Sequence, residues 1–253
     1  MNYIIFDLEF NQALPNTKDI KTDCSLKLTF EIIQIGAIKL NKNFDTISTF
    51  NTLIKPVVHK TIHPYVEKLT KINDEQLNSS KNFAEIYEDF INFLGEDDTI
   101  LVVWGKSDVK ELIRNIEFHN LSTSLISKKY IDIQSYASKY LKAAKGTNIG
   151  LGNAVELLNI ESQGEFHDAF NDAYYTSEVF KKIFDDNIKP TIYTPRPTKR
   201  PPVFKETIDM NGLVNQFEKM YNRKMSTEEE DIIKLAYTMG RTRQFVLSDE
   251  GHS

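Results

Sequence analysis

Two carboxylates near the start of the chain have the types and spacing of a metal site. Asp7 and Glu9 are separated by one residue within an apolar run at residues 3–10. Strand side chains alternate between faces, so a β-strand here would place both acids on one face. Mg²⁺ or Mn²⁺ would offset their repulsion, because these cations prefer hard oxygen ligands. The alternative is a solvated polar strand face, since the tripeptide Asp-x-Glu is common.

Three further residues lie where predicted strands end or helices begin. Asp108 follows the apolar run at residues 99–104 and falls in the first turn of the next predicted helix. It could hold a metal at this edge or simply complement the helix dipole. Asp172 lies at the edge of a helical apolar stripe, so it faces inward and needs a partner. His167 precedes that helix, where an imidazole can act as a general base near neutral pH.

Two neighbouring residues are interpreted as structural. Asp132 is a weaker metal candidate, because Ile131 and Ile133 would face the core and leave it on the opposite face, where a structural hydrogen bond suffices. Trp104 ends a buried strand, which favours core packing over a stacking platform for a base.

The elements that must position these residues form an α/β layer fold with a mixed β-sheet flanked by helices. Apolar patterns predict strands at residues 3–10, 30–40, 44–55, 99–104 and 130–133. Helical periodicity predicts helices at residues 83–94, from Ser107 as N-cap, from 133 to about 144, at 150–158, and from Asp168 as N-cap to 184.

Composition bounds the class of protein. The chain has 253 residues, 40% hydrophobic and 26% charged, with a net charge of -5 and one cysteine, Cys24. One cysteine allows no internal disulfide and no cysteine-based zinc site. No apolar run approaches the ~20 residues of a membrane span, and no signal peptide is evident, so a cytoplasmic location is expected. The acidic balance argues against tight non-specific duplex binding but allows a metal-dependent nucleic-acid substrate.

The last quarter of the chain differs from the rest. Five of the eight prolines and five cations lie in residues 187–205, which contain no acid. We expect a domain at 1–185, a Pro-rich basic linker at 186–205 and a small helical C-terminal extension at 206–253. A capping box, Ser226 with Glu229, predicts a helix in that extension. So short a segment is expected to pack on the main domain or on a partner.

Taken in order, these residues resemble the DEDDh family of 3′→5′ exonucleases. The motifs FDLEF (residues 6–10), EIIQIGA (31–37), VWGxxD (103–108) and HDAxxDA (167–173) look most like its ERI-1-like/KapD-like branch. The resemblance covers residues 1–185 and does not extend beyond them. It implies an RNase H-like fold for these residues, and the helical C-terminal extension lies outside it.

The resemblance also implies roles for the five site residues. Asp7, Glu9 and Asp172 would hold one divalent cation, Mg²⁺ or Mn²⁺. Asp7 would bridge to a second cation, with Asp108 completing that site. His167 would orient and deprotonate the attacking water. Two such metals can stabilise the entering and leaving oxygens of an in-line displacement.

Four residues are candidates for substrate binding. Phe10 and Asn11 follow the acidic pair and could contact the terminal nucleotide by stacking and hydrogen bonding, although Phe10 could equally belong to the core. Leu69 and Lys71 lie in a segment that packs near the 3′-terminal base in the family. The family usually has glycine where this chain has Lys71. Lys71 could reach a phosphate, or the loop could have moved.

The leading hypothesis is therefore a metal-dependent 3′→5′ exonuclease on single-stranded RNA or DNA, with RNA slightly favoured by family branch. The rival is a regulatory or scaffold protein that keeps this fold and binds a protein partner through residues 187–253. A third interpretation is that the basic residues of the linker guide substrate. No membrane partner is expected.

Overall fold

The computed structural model describes residues 1–14, 28–95, 98–144, 146–161, 164–195 and 209–241. The chain divides into two compact units, residues 1–196 and 197–253. The strands of the first unit are β1 (Asn2–Asn11), β2 (Glu31–Leu40), β3 (Thr46–Leu53), β4 (Thr99–Val103), β5 (Lys129–Asp132) and β6 (Thr191–Ile192). Its helices are α1 (Pro64–Thr70), α2 (Asp74–Asn78), α3 (Phe83–Leu94), α4 (Ser107–Phe118), α5 (Ile133–Tyr140), α6 (Leu151–Leu157) and α7 (Ala169–Ile183), with a 3₁₀ turn at Thr123–Leu125.

The six strands form one mixed sheet in the order β3-β2-β1-β4-β5-β6. β1, β2 and β3 are antiparallel neighbours, whereas β1, β4 and β5 run parallel. Because β1 and β4 are parallel, their carboxyl ends meet at one edge of the sheet. Asp7 and Glu9 lie near the carboxyl end of β1, and Asp108 begins just beyond β4. The predicted α/β fold with a mixed sheet flanked by helices is confirmed.

Side-chain alternation along β1 divides the core between the two faces of the sheet. Ile4, Phe6 and Leu8 belong to a cluster with α3 and α4, and Phe10 packs against it. Tyr3 and Ile5 face the opposite cluster with α5, α6 and α7. The even-numbered residues therefore share one face, which leaves Asp7 and Glu9 together on the other face as predicted. β4, buried throughout, is the expected interior strand.

A bulge at Ile33 changes the side-chain pattern of β2. Glu9 is paired with Gln34, whereas Phe10 is paired with Ile32, so Ile33 is the extra residue. Ile33 leaves the cluster that holds Ile32 and Ile35 and packs instead in a small third core with residues of α1, α2 and the preceding loop. The bulge thus anchors the segment between β3 and α3.

Several predicted boundaries were wrong, for local reasons. β3 begins at Thr46 rather than 44, because the Asn41 side chain accepts hydrogen bonds from the backbone N–H of Asn43 and Asp45 and lengthens the turn. It ends at Leu53 rather than 55. The N-cap of α4 is Lys106, so Ser107 is already helical.

The helix after β5 also differs from its prediction. Ile133 begins α5 instead of ending the strand, and α5 ends at Tyr140 rather than near 144. Lys142 has φ +54°, and the N–H of Ala143 reaches back to the carbonyl of Ser138. This left-handed turn is a common way to end a helix.

The sheet extends beyond the domain end predicted at residue 185. Ile188 is buried in the second core cluster, and β6 pairs antiparallel with β5. Residues 186–192 are therefore part of the first unit rather than the start of a linker. The rest of the predicted linker, from residue 196 to 205, lies outside the described residues.

The second unit contains two described helices, α8 (Met210–Tyr221) and α9 (Thr227–Arg241). The predicted capping box is present, because Ser226 and Glu229 exchange side-chain-to-backbone hydrogen bonds of 2.9 and 3.3 Å. The packing of the C-terminal extension on the main domain or on a partner stays a prediction. Within the described residues, no helix combines the length and apolar character needed to span a bilayer.

Candidate active site

The acidic pair of β1 faces two residues of β2 that shape the site. Asp7 is paired with Gly36, and Glu9 with Gln34. Paired residues of adjacent strands share a face, so all four side-chain positions lie on the side of the sheet that α7 covers. The pairing places the amino end of α7 directly above the carboxylates.

Gly36 allows α7 to approach the sheet. A Cβ atom at this position would lie 2.2 Å from the carbonyl carbon of Ala169 and 2.2 Å from the backbone nitrogen of Phe170. No larger residue fits without displacement of the helix. Gly36 therefore allows the short distance between the sheet and the first turn of α7, which carries Asp172.

Gln34 fixes the same turn by hydrogen bonds. Its Oε1 accepts from the N–H of Ala169 at 3.2 Å, and its Nε2 donates to Asp168 Oδ2 at 2.9 Å. Asp168 is the N-cap predicted from the sequence, and its other oxygen accepts from the N–H groups of Phe170 and Asn171. Contacts from β2 thus hold the helix entrance rigidly beside β1.

Glu9, His167 and Asp172 converge in space. One ligand atom from each lies within 4.8 Å of the others. His167 has φ +68°, an uncommon conformation for a residue with a side chain, and its backbone N–H donates to Asp172 Oδ2 at 3.2 Å. Its side chain is exposed. An exposed imidazole beside two carboxylates is suitably placed to handle a proton at the mouth of the site.

The four carboxylates repel one another in a desolvated environment. Burial, followed by the charges of Asp108 and Asp172, raises the pKa of Asp7 well above its ordinary value. Burial is also the main cause of the raised pKa values of Glu9 (about 8), Asp108 (about 7) and Asp172 (about 6). The charge of Asp172 adds to the shifts of Glu9 and Asp108. Without a cation, burial and mutual repulsion oppose the ionisation of these acids.

The donor set fits divalent cations. Asp172 Oδ1 is buried without a hydrogen-bond partner among the described residues. A buried carboxylate oxygen in that state is costly, and a cation would satisfy it. Hard oxygen ligands with one imidazole nearby are the type that Mg²⁺ and Mn²⁺ accept. The residues present therefore fit the metals that the sequence predicted, although the choice between the two ions stays open.

Phe10 and Asn11, the two residues of β1 predicted to bind substrate, differ in burial and in contacts. Phe10 is half-buried, packs against the first core cluster and lies 6.2 Å from the ring of Phe30, measured between centroids. Asn11 is fully buried, and its amide is hydrogen-bonded to the backbone of residues 59, 61 and 63. The Asn11 amide thus already has backbone partners, and its contact with a nucleotide stays a prediction.

Leu69 and Lys71 lie at the end of α1. Leu69 is half-buried, whereas Lys71 is exposed and its Nζ donates to the carbonyl of Lys68 at 2.9 Å. Lys71 caps the helix with φ +62°, a conformation that favours glycine. This geometry explains why glycine suits the position. The contact of either residue with substrate stays a prediction.

The two residues interpreted as structural have packing or hydrogen-bonding contacts. Trp104 packs against the second core cluster, although its Nε1 is buried without a partner among the described residues. Asp132 Oδ1 accepts a hydrogen bond from the N–H of Gly105 at 3.1 Å. This bond holds the turn between β4 and α4, and hence the start of the helix that carries Asp108.

Sequence reasoning gave no role to Gly36, Gln34 or Glu31, although all three lie in the EIIQIGA segment. A glycine inside an apolar strand is a recognisable signal of close backbone approach. A glutamine and a glutamate in an otherwise apolar strand similarly require buried partners. The identity of those partners depends on contacts far along the chain.

Comparison with known proteins identifies the family of this chain. The family model RNase_T, described as Exonuclease, matches residues 4–180. The probable 3'-5' exonuclease KapD of Bacillus subtilis (strain 168) is 25% identical over 190 residues, which cover 74% of this chain and 86% of that protein. The DNA polymerase III subunit epsilon of Buchnera aphidicola subsp. Schizaphis graminum is 26% identical over 160 residues, covering 60% of this chain and 64% of that subunit.

A solved structure supports the fold. The nuclease domain of 3'hExo, a DEDDh family member bound to rAMP, superposes with a TM-score of 0.62 at 18% identity. The likeness covers 77% of this chain and 97% of that domain. It shows that the mixed sheet and its helices adopt the architecture of DEDDh nucleases.

Proposed function

Since the chain belongs to the RNase_T exonuclease family, we propose that it hydrolyses single-stranded nucleic acid from the 3′ end, one nucleotide at a time. Water would form a bond to the terminal phosphorus while the bond to the 3′ oxygen of the preceding nucleotide breaks. The products are a nucleoside 5′-monophosphate and a shortened chain with a 3′ hydroxyl. The 3′→5′ direction is supported by the name of the KapD relative.

The observation that carries this proposal is the cluster of Glu9, His167 and Asp172 above Asp7. Asp7, Glu9 and Asp172 would hold one divalent cation, and Asp7 with Asp108 would hold a second. When bound, such cations stabilise charge on the entering and leaving oxygens. The raised pKa values of the four acids, caused first by burial, support a role for these acids as ligands of a cation.

His167 would act as the general base. Its imidazole is exposed, so it can accept a proton from water and release it to solvent. The bond from its backbone N–H to Asp172 ties the position of the base to that of a metal ligand. Both are carried by the helix entrance that Gln34 and Gly36 fix. The same local structure therefore positions both the proposed base, His167, and the proposed metal ligand, Asp172.

RNA is the slightly favoured substrate, on the resemblance to the ERI-1-like branch. The 3'hExo domain was solved with rAMP, a ribonucleotide, whereas the epsilon relative is part of a DNA polymerase. These relatives are therefore compatible with either an RNA or a DNA substrate.

We also propose a cytoplasmic location, on the basis of the composition of the chain.

A time course on 5′-labelled RNA and DNA oligomers with Mn²⁺ tests the proposal. A ladder that shortens from the 3′ end, absent with EDTA and in Asp7→Asn, is the expected result. The faster substrate identifies the sugar preference. Intact oligomers after long incubation of the wild type with either metal would contradict the proposal.

A second candidate function involves the C-terminal unit. Helix α9 exposes Ile232 and Leu235, which are 59% and 55% accessible and lie three residues apart on one face. Such residues support a protein partner for this unit. Deletion of residues 197–253 should then abolish partner binding without changing oligomer turnover. Weaker, less salt-dependent oligomer binding would instead favour the linker as a substrate guide.

A further inference from the structure

Two buried polar side chains hold one loop beside the catalytic carboxylates. The loop, residues 57–63, lies between β3 and α1. Glu31 is 3% exposed and Asn11 is fully buried, and the two are paired across β1 and β2. Asn11 lies two residues after Glu9, so by strand alternation it shares a face with the catalytic acids. The loop is therefore attached on that face.

Glu31 binds the first half of the loop. Its Oε1 accepts from the N–H of Val57 at 2.6 Å and of Val58 at 3.0 Å. Its Oε2 accepts from the N–H of His59 at 2.7 Å and of Val58 at 3.1 Å. One carboxylate thus satisfies three successive backbone donors, an arrangement that fixes the local backbone conformation.

Asn11 binds the second half. Its Nδ2 donates to the carbonyl of His59 at 2.8 Å and of Thr61 at 3.0 Å. Its Oδ1 accepts from the N–H of His63 at 2.9 Å. Both amide protons and the carbonyl are used. Hydrogen bonds from two side chains on neighbouring strands therefore hold both halves of the loop.

The loop is fixed at Asn11, two residues beyond Glu9. At a strand rise of about 3.4 Å per residue, the Cα atoms of Glu9 and Asn11 are about 7 Å apart. A nucleotide whose phosphodiester is held at Glu9 is longer than that separation. The loop exposes Val57 and Val58, which are 44% and 41% accessible. Exposed apolar side chains suit the face of a base or sugar rather than a phosphate.

We propose that Glu31 and Asn11 are positioning residues for substrate binding. They hold residues 57–63 in the conformation that receives the nucleoside next to the scissile phosphodiester. Neither side chain touches the reacting atoms, so their loss should weaken substrate binding and leave the chemical step intact. This inference rests on the proposed exonuclease function and assigns part of its binding surface.

Isosteric substitutions test the inference. Glu31→Gln replaces two acceptor oxygens with one and turns an amide donor toward backbone N–H groups. Asn11→Asp replaces a double donor with oxygens that face two carbonyls. We expect KM for a short oligomer to rise about tenfold in each variant while kcat changes less than about threefold. Amide hydrogen exchange at residues 57–59 should become faster in Glu31→Gln.

Tyr87→Phe is the matched control. It removes a part-buried hydrogen bond from Tyr87 to the carbonyl of Ser122, which lies in the segment between α4 and β5. Its melting temperature should fall as in the test variants while its KM stays at the wild-type value. If Tyr87→Phe raises KM equally, general destabilisation explains the effect and the inference is overturned.

Two further results would overturn the inference. One is an unchanged KM in both Glu31→Gln and Asn11→Asp, and the other is unchanged hydrogen exchange at residues 57–59 in Glu31→Gln. A wild type that cleaves neither RNA nor DNA would instead overturn the proposed function itself. That result is distinct from an active enzyme whose KM ignores both substitutions.

Discussion

Two groups of carboxylates lie at the same end of this sheet and differ in what they contact. Glu31 and Asp168 accept hydrogen bonds from backbone or side-chain donors and hold a loop and a helix entrance. Asp7 and Asp172 instead face other acids, and one oxygen of Asp172 has no partner among the described residues. The first group stabilises the loop and the helix entrance, whereas the carboxylates of the second group are available to bind a cation.

This comparison teaches how to separate structural from functional acids. A desolvated carboxylate with donors around it stabilises the fold, because its hydrogen bonds offset its burial. A desolvated carboxylate surrounded by other carboxylates destabilises the metal-free fold and becomes favourable only with a cation. Removing the charge should therefore have opposite effects on stability in the two groups.

The largest effect should come from Asp7→Asn. This substitution removes a metal ligand and should abolish cleavage of labelled oligomers. It also removes the free-energy cost of burying an ionisable acid among other acids, so the melting temperature of the metal-free protein should rise by at least about 3 °C. Glu31→Gln should lower it instead. A lower melting temperature for Asp7→Asn would remove the distinction between the two groups.

His167→Ala should have the next largest effect. Loss of a general base should reduce kcat by about 10²–10⁴-fold. The side chain is exposed, so thermal stability should hardly change. The stabilisation of this variant by Mn²⁺ separates two roles for the imidazole. Retained stabilisation supports a base, and lost stabilisation would make His167 a required metal ligand.

Gly36→Ala should damage both stability and activity. Its Cβ would collide with the backbone of Ala169 and Phe170, and displacement of α7 should cost about 3 kcal/mol. Displaced His167 and Asp172 should also lower kcat. Gly152→Ala, where the new Cβ meets the Phe166 ring at 3.6 Å, is the control and should be neutral or slightly stabilising. Equal melting temperatures for both variants would contradict the close packing at Gly36.

The pH dependence of metal-free stability should follow the raised pKa values. Burial, followed by neighbouring acids, raises the pKa of Glu9 to about 8 and of Asp108 to about 7, against about 4 when unfolded. Between these values the folded state holds more protons, so stability should fall, on the order of 5 kcal/mol, as pH rises from about 5 to about 8. Thermal melts in EDTA measure this slope. A rise in stability over the same range would contradict it.

Lys71→Gly should have the smallest effect. Glycine fits φ +62° without strain, so stability should increase by about 0.5 kcal/mol, net of the greater entropy of unfolded glycine. If Lys71 only caps α1, KM for an oligomer should not change. A higher KM with weaker salt dependence would show that its ammonium group contacts a phosphate.

Much of the fold was predictable because its signals are local. Alternation in β1 placed Phe6 and Leu8 in one core, and the apolar run at residues 99–104 identified an interior strand. The order of Asp7, Glu9, Asp108, His167 and Asp172 also identified the family, since the acids follow elements that meet at one edge.

Other features depend on contacts that a local pattern does not contain. The bulge at Ile33 reorients β2, and only the three-dimensional structure shows that the Asn11 side chain is hydrogen-bonded to a loop 48 residues away. Gly36 contacts the start of α7, although the two are separated by more than 130 residues in the sequence. Residues 191–192 join the sheet through two backbone pairs that leave no apolar pattern.

The most direct test of the contrast between the two groups of acids is the melting temperature as a function of Mn²⁺ concentration. We expect the melting temperature of the wild type to rise steadily with the logarithm of Mn²⁺ concentration, because binding stabilises only the folded state. Asp7→Asn should start higher in EDTA and respond weakly, whereas Glu31→Gln should start lower and keep the full response. If the melting temperature of the wild type does not change with Mn²⁺ or Mg²⁺, the claim that these acids bind a divalent cation is contradicted.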